Sequence, residues 1–205
     1  MTCGGGDHLS LRKWARLFWK TMLVGAIAAV IAGVALQLAT GNIEFKGAVD
    51  LTIYPLILLG YGALVSVYSQ LGFFAYLTLN YIGIGVFRPK TWGYVQLVLS
   101  VLALMELIFL RTFVGNEQNF TWDLIIAIGI LLTAVVVTYF KVNMTNSKAL
   151  IPTMFFMLAV TILEIIGVLK IGENNATVFL IIPLLACNAY QILTLHKVTQ
   201  NVEKS

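Results

Sequence analysis

Six apolar runs, each long enough to cross a bilayer as a helix, follow one another along this chain with only short polar gaps between them. A hydrocarbon core about 30 Å thick needs about 20 apolar residues in helix. Within it every backbone N–H and C=O must be satisfied inside the segment, so runs of this length span as helices. The expected spans are roughly 15–38, 52–80, 92–113, 123–141, 149–170 and 177–195. The fold class is therefore all-α: a polytopic integral membrane protein with six transmembrane helices in a single domain over residues 1–205. A chain that is 60% hydrophobic and 11% charged, with mean hydropathy +0.92, lies far from soluble usage.

The positive charges fall into every second gap. The N-terminal tail carries Arg12, Lys13, Arg16 and Lys20, the second gap Arg88 and Lys90, the fourth Lys141 and Lys148, and the C-terminal tail Lys197 and Lys204. That is ten of the 13 basic residues; Lys46, Arg111 and Lys170 occupy the other gaps. Basic loops are retained in the cytoplasm, so both termini are cytoplasmic, and an even number of spans agrees. The net charge of +4 is then the surplus of cytoplasmic anchors and carries no implication of nucleic acid.

Aromatic residues support these boundaries, since Trp14, Trp19, Tyr54, Tyr81, Trp92, Trp122 and Tyr139 all lie near span ends, where amphipathic rings prefer the interface. Pro55 is placed in the first turn of the second span, where a missing N–H is tolerated. Arg88 and Pro89 mark a tight turn into the third. The stretch from Arg12 to Lys20 interleaves cations with Trp14, Leu17, Phe18 and Trp19, as suits a helix anchored at the inner leaflet, with an anionic-lipid contact as the alternative.

The gaps hold about a dozen residues at most, too few for a soluble catalytic or DNA-binding domain. His8 and His196 lie in the tails, and no metalloprotease or serine-hydrolase motif occurs. The chain is expected to be no enzyme, with no cofactor and no metal.

Within the spans two carboxyls stand out, because such groups are costly in a bilayer. Glu106 lies 14 residues beyond Trp92 and Glu164 lies 15 beyond Ala149, so at 1.5 Å per residue both fall about 21 to 22 Å from the cytoplasmic side. Touching helices would let them share a proton or cation; the simpler reading is two carboxyls that each hold helices together. Gly62, Ser66, Ser69 and Gln70 form a polar stripe on the second span, as do Asn188 and Gln191 on the sixth. Gly25, Ala29 and Gly33 recur every fourth residue on the first span and permit close approach of another helix, inside the bundle or in a partner. Pro183 is expected to bend the sixth span.

The entry Ser10 to Trp19, and the segment Gly72-Phe73-Phe74-Ala75-Tyr76-Leu77-Thr78 followed by Gly83-Ile84-Gly85-Val86-Phe87, resemble the KinB-signalling pathway activation (KbaA) family. The resemblance implies a multi-pass protein of the bacterial cell membrane. It would be a non-enzymatic activator of a membrane sensor histidine kinase that feeds the sporulation phosphorelay. Such a chain would act through helix contacts at Gly25, Ala29 and Gly33 or through the cytoplasmic hairpin at Arg88 and Lys90. The alternative from another class is a small solute or ion transporter using Glu106 and Glu164.

Overall fold

A computed structural model describes residues 5–40, 48–114, 120–169 and 174–199, with side chains over 11–38, 53–107, 124–167 and 179–199. Apart from the turns at 87–88 and 145–146, the described residues are helical, without a strand. The elements are α1 (Gly5–Thr40), α2 (Ala48–Val86), α3 (Pro89–Val114), α4 (Phe120–Met144), α5 (Leu150–Phe155), α6 (Thr161–Leu169) and α7 (Asn174–Thr199). A 3₁₀ turn, Ser147–Ala149, precedes α5, and a π turn, Phe156–Val160, joins α5 to α6, so the fifth expected span is one helix with a π turn inside it.

Each expected span falls on one long helical stretch. Five stretches among the described residues are long and apolar enough to cross a membrane: Leu11–Leu38, Ile53–Val86, Leu124–Met144, Ser147–Gly167 and Phe179–Thr199. The remaining one is the 26-residue α3. It begins at Pro89, whose fixed φ and absent N–H suit a first helical position, and the Trp92 N–H donates to the Arg88 carbonyl at 2.9 Å to close its first turn.

Three expectations are corrected. Pro55 is not in a first turn: α2 begins at Ala48, so Pro55 lies inside it, because the helix continues outward past the apolar run. Trp92, near the start of α3 as expected, does not turn its ring outward but is only 6% exposed. Lys141 lies on α4 rather than in a loop and is 5% exposed. Hydropathy marks where a span ends but not which face of its last turn is covered.

The contacts group the helices into two compact units. Unit 1 contains α1, α2 as far as Gln70, and α7; unit 2 contains the rest of α2 with α3 to α6. In unit 1 the N- and C-terminal helices pack along each other. In unit 2 the fifth span is the most buried, with 56% of its most apolar 18-residue window covered. Phe155, Phe156, Met157, Leu158 and Ala159 are consecutive and all buried, so this helix is covered on every side at the π turn.

Candidate functional site

Among the described side chains of unit 2, one carboxyl is deeply buried. Glu164 stands on α6, just past the π turn, and is 5% exposed. Its seat is made by a glycine: a Cβ at Gly72 on α2 would fall onto Glu164 Oε1, and would lie 2.7 Å from its Cδ. The carboxyl therefore fills the space that the absent Gly72 side chain leaves.

Next to this seat α2 presents aromatic rings to the π turn. Phe73 meets Phe156 edge-on at 5.6 Å, and Tyr76 lies 4.9 Å from Phe156 and 6.2 Å from Phe155. Two consecutive phenylalanines can face one neighbour because the π turn adds a residue to the helical repeat. The Thr161 hydroxyl donates to the Phe156 carbonyl at 3.5 Å, five residues back, where the regular bonding pattern is displaced.

Two turns beyond Tyr76 along α2, a Cβ at Gly83 would run into the Trp92 ring. That ring stacks on Phe87 at 5.9 Å with 9° between the planes, and its Nε1–H donates to Asn80 Oδ1 at 2.9 Å. Gln96 Nε2 donates to the same oxygen at 3.2 Å. Trp92 was read as a boundary ring, yet it locks the α2–α3 hairpin. The hairpin tip carries Arg88 and Lys90, both exposed.

Glu106 has a different environment from Glu164. It is exposed on α3, whereas Glu164 is buried, so the two carboxyls do not form one polar site. Arg111, five residues further along the chain, lies outside the residues with described side chains.

In unit 1 the small-residue face of α1 is occupied by helices of the same unit. A Cβ at Gly25 would lie 2.8 Å from Cys187 Sγ and 2.8 Å from the Gly62 carbonyl; one at Gly62 would lie 2.7 Å from Ala26 Cα and from Ala29 Cβ. Gly33 faces Leu58 on α2 and Phe179 on α7. Beside this close approach runs a buried polar seam. Ser69 donates to Asn188 Oδ1 at 2.6 Å; Gln70 Nε2 donates to the Phe18 carbonyl and to Ser66 Oγ, each at 3.3 Å. The Cys187 thiol donates to the Thr21 carbonyl at 3.7 Å. Gln191 is fully buried, and both polar atoms of its amide lack a hydrogen-bond partner among the described residues, as does Gln70 Oε1.

The residues singled out on α2, Gly72 to Thr78 and Gly83 to Phe87, thus form the seat for Glu164, the aromatic contact with the π turn, and the hairpin lock. The model of the KbaA family, described as KinB-signalling pathway activation in sporulation, matches residues 25–198 and so includes both segments. The chain belongs to the KbaA family. The KinB-signaling pathway activation protein of Bacillus subtilis (strain 168) is 28% identical over 199 residues, covering 91% of this chain and 96% of that protein. No solved structure matches significantly. The family match starts at Gly25, so the basic entry from Ser10 to Trp19 precedes it, although that entry also resembled the KbaA family. Sequence reasoning named Gly72 only as part of a resemblance; that it seats Glu164 depends on the pairing of α2 with α6, for which one sequence carries no signal.

Proposed function

We propose that this KbaA-family chain is a multi-pass protein of the bacterial cell membrane, with both termini cytoplasmic, that activates a membrane sensor histidine kinase in the KinB pathway of sporulation without catalysis of its own. The family description and the name of the Bacillus subtilis relative support the pathway. The alternation of basic gaps supports the orientation.

The observation that carries the mode of action is the basic end of unit 2. A Cβ at Gly93 on α3 would lie 3.5 Å from Ile151 Cδ1 on α5, so the α2–α3 and α4–α5 turns lie at one end. That end exposes Arg88, Lys90 and Lys148, with Tyr81 and Tyr94 at 82% and 73% exposure. The described residues 81–105 and 141–152 contain no Asp or Glu. Cations with exposed tyrosines suit an acidic juxtamembrane segment of a kinase, since Tyr and Arg dominate contact energies at interfaces. The small-residue face of α1 is less suited, because α2 and α7 already cover it.

The test replaces Arg88, Lys90 and Lys148 together by Gln and reads a sporulation-phosphorelay reporter in starving cells. Output is expected to fall several-fold with membrane-fraction abundance unchanged, and capture of the kinase by the tagged chain is expected to weaken in parallel. Full output and undiminished capture would remove this end as the contact. The transporter reading gains no support from the geometry, since Glu106 and Glu164 do not meet.

A further inference from the structure

The outer face of α1 is ordered along its length as a phospholipid is. Arg12, Arg16 and Lys20 are four residues apart and exposed, so they stand one above another on the helix. Trp19, Leu23, Ile27 and Ile31 form the adjoining row at the same spacing, and all are exposed. The opposite row, Leu17, Thr21, Gly25, Ala29 and Gly33, is buried within unit 1. Leu11–Leu38 contains no Asp or Glu, so nothing on this stretch of helix neutralises the three cations. From Lys20 to Ile31 the row rises about 16 Å at 1.5 Å per residue, against about 15 Å for one leaflet of hydrocarbon. Cations, with an amphipathic ring level with the last of them, and then branched aliphatic side chains thus match the order of phosphate, glycerol and acyl chain.

We infer that this face is a binding site for one anionic diacyl phospholipid, its phosphate on Arg12, Arg16 and Lys20 and its acyl chains along Leu23, Ile27 and Ile31. Three cations on a stretch, Leu11–Leu38, that carries no carboxylate distinguish it from general contact with lipid, because a zwitterionic headgroup brings no net charge to meet them. The inference rests on the membrane reading above.

The test uses the full chain reconstituted in phosphatidylcholine vesicles carrying either brominated-acyl phosphatidylglycerol or brominated-acyl phosphatidylcholine at equal mole fraction. Trp19 quenching is the difference between the wild type and Trp19→Phe. Both leaflets hold the same lipid, so the reading is independent of the direction of insertion. Phosphatidylglycerol is expected to be enriched at Trp19 roughly tenfold over phosphatidylcholine at low salt, and the enrichment to shrink at high salt. The R12Q/R16Q/K20Q variant is expected to lose it, while R88Q/K90Q keeps it. Equal quenching by the two lipids, or an excess that survives in wild type at high salt and in the triple variant, overturns the lipid site. A chain that fails to float with vesicles, or is stripped from them by alkali, overturns instead the membrane reading beneath it.

Discussion

The two units hold their helices together by opposite means. In unit 1 three helices close through residues that have almost no side chain, Gly25, Ala29 and Gly62, and finish the contact with hydroxyls and amides. In unit 2 a central helix fills its surroundings with Phe155, Phe156 and Met157 and places one carboxyl in a glycine notch. In a bilayer the lipid tails are as apolar as leucine and give no hydrophobic drive to helix association, so there packing and hydrogen bonds supply it. Unit 1 gains dispersion by backbone proximity, and unit 2 by large ring surfaces. Unit 1 should accordingly fail when volume is added and unit 2 when it is removed.

The largest effect is expected at Gly62. A side chain there meets Ala26 Cα and Ala29 Cβ on α1 at 2.7 Å, and backbone cannot swing away as a long side chain can. Gly62→Leu should destabilise the chain by about 3 kcal/mol, read as a lowered midpoint of unfolding in detergent. Tolerance of this substitution would break the comparison at its first term.

Phe156→Ala tests the second term. Phe156 is fully buried among Phe73 and Tyr76, and truncation leaves a cavity that the rigid rings collapse into poorly. The expected loss is about 2 kcal/mol, below the usual cost for a soluble core because lipid reduces the transfer part. Phe156→Leu, which keeps most of the volume, should recover more than half of it in the same measurement.

A cycle between Gly72 and Glu164 sharpens the account of the notch. Gly72→Ala pushes the new Cβ onto the carboxyl and should cost about 1.5 kcal/mol. In a Glu164→Ala background the obstructing atoms are gone, so the same change should cost almost nothing, a coupling of about 1.5 kcal/mol. Additive losses would show that Gly72 is needed for some reason other than seating Glu164.

These four positions also show what the sequence made legible. The six helical stretches were readable because their length and hydropathy follow from the thickness of a bilayer. Glu164 was readable as costly, and Gly25 with Ala29 as a surface for close approach. Gly62 was noted within a polar stripe, but its place opposite Gly25 depends on which helices pair. Trp92 and Lys141 were assigned to the boundary by their position along the chain, whereas their burial is set by rotation about the helix axis. The π turn left no mark, since Phe155-Phe156-Met157 is compatible with a regular helix and only the rings of Phe73 and Tyr76 give the extra residue somewhere to pack.

The smallest expected effect has the opposite sign. Gln191 in unit 1 is fully buried with neither amide atom bonded among the described residues, and Gln70 Oε1 is likewise unmet. A buried polar group without a partner costs about 1 to 3 kcal/mol, while an apolar group of similar shape costs little. Gln191→Leu should therefore raise stability by about 1 kcal/mol, seen as a higher midpoint in the assay used for Gly62→Leu. The variant then separates two reasons for keeping an amide in the seam. Unchanged signalling output from a stabilised chain means that the seam serves packing alone. Reduced output from a stabilised chain means that unit 1 retains an unsatisfied layer because activation uses it, the trade expected where function and stability compete for the same side chain.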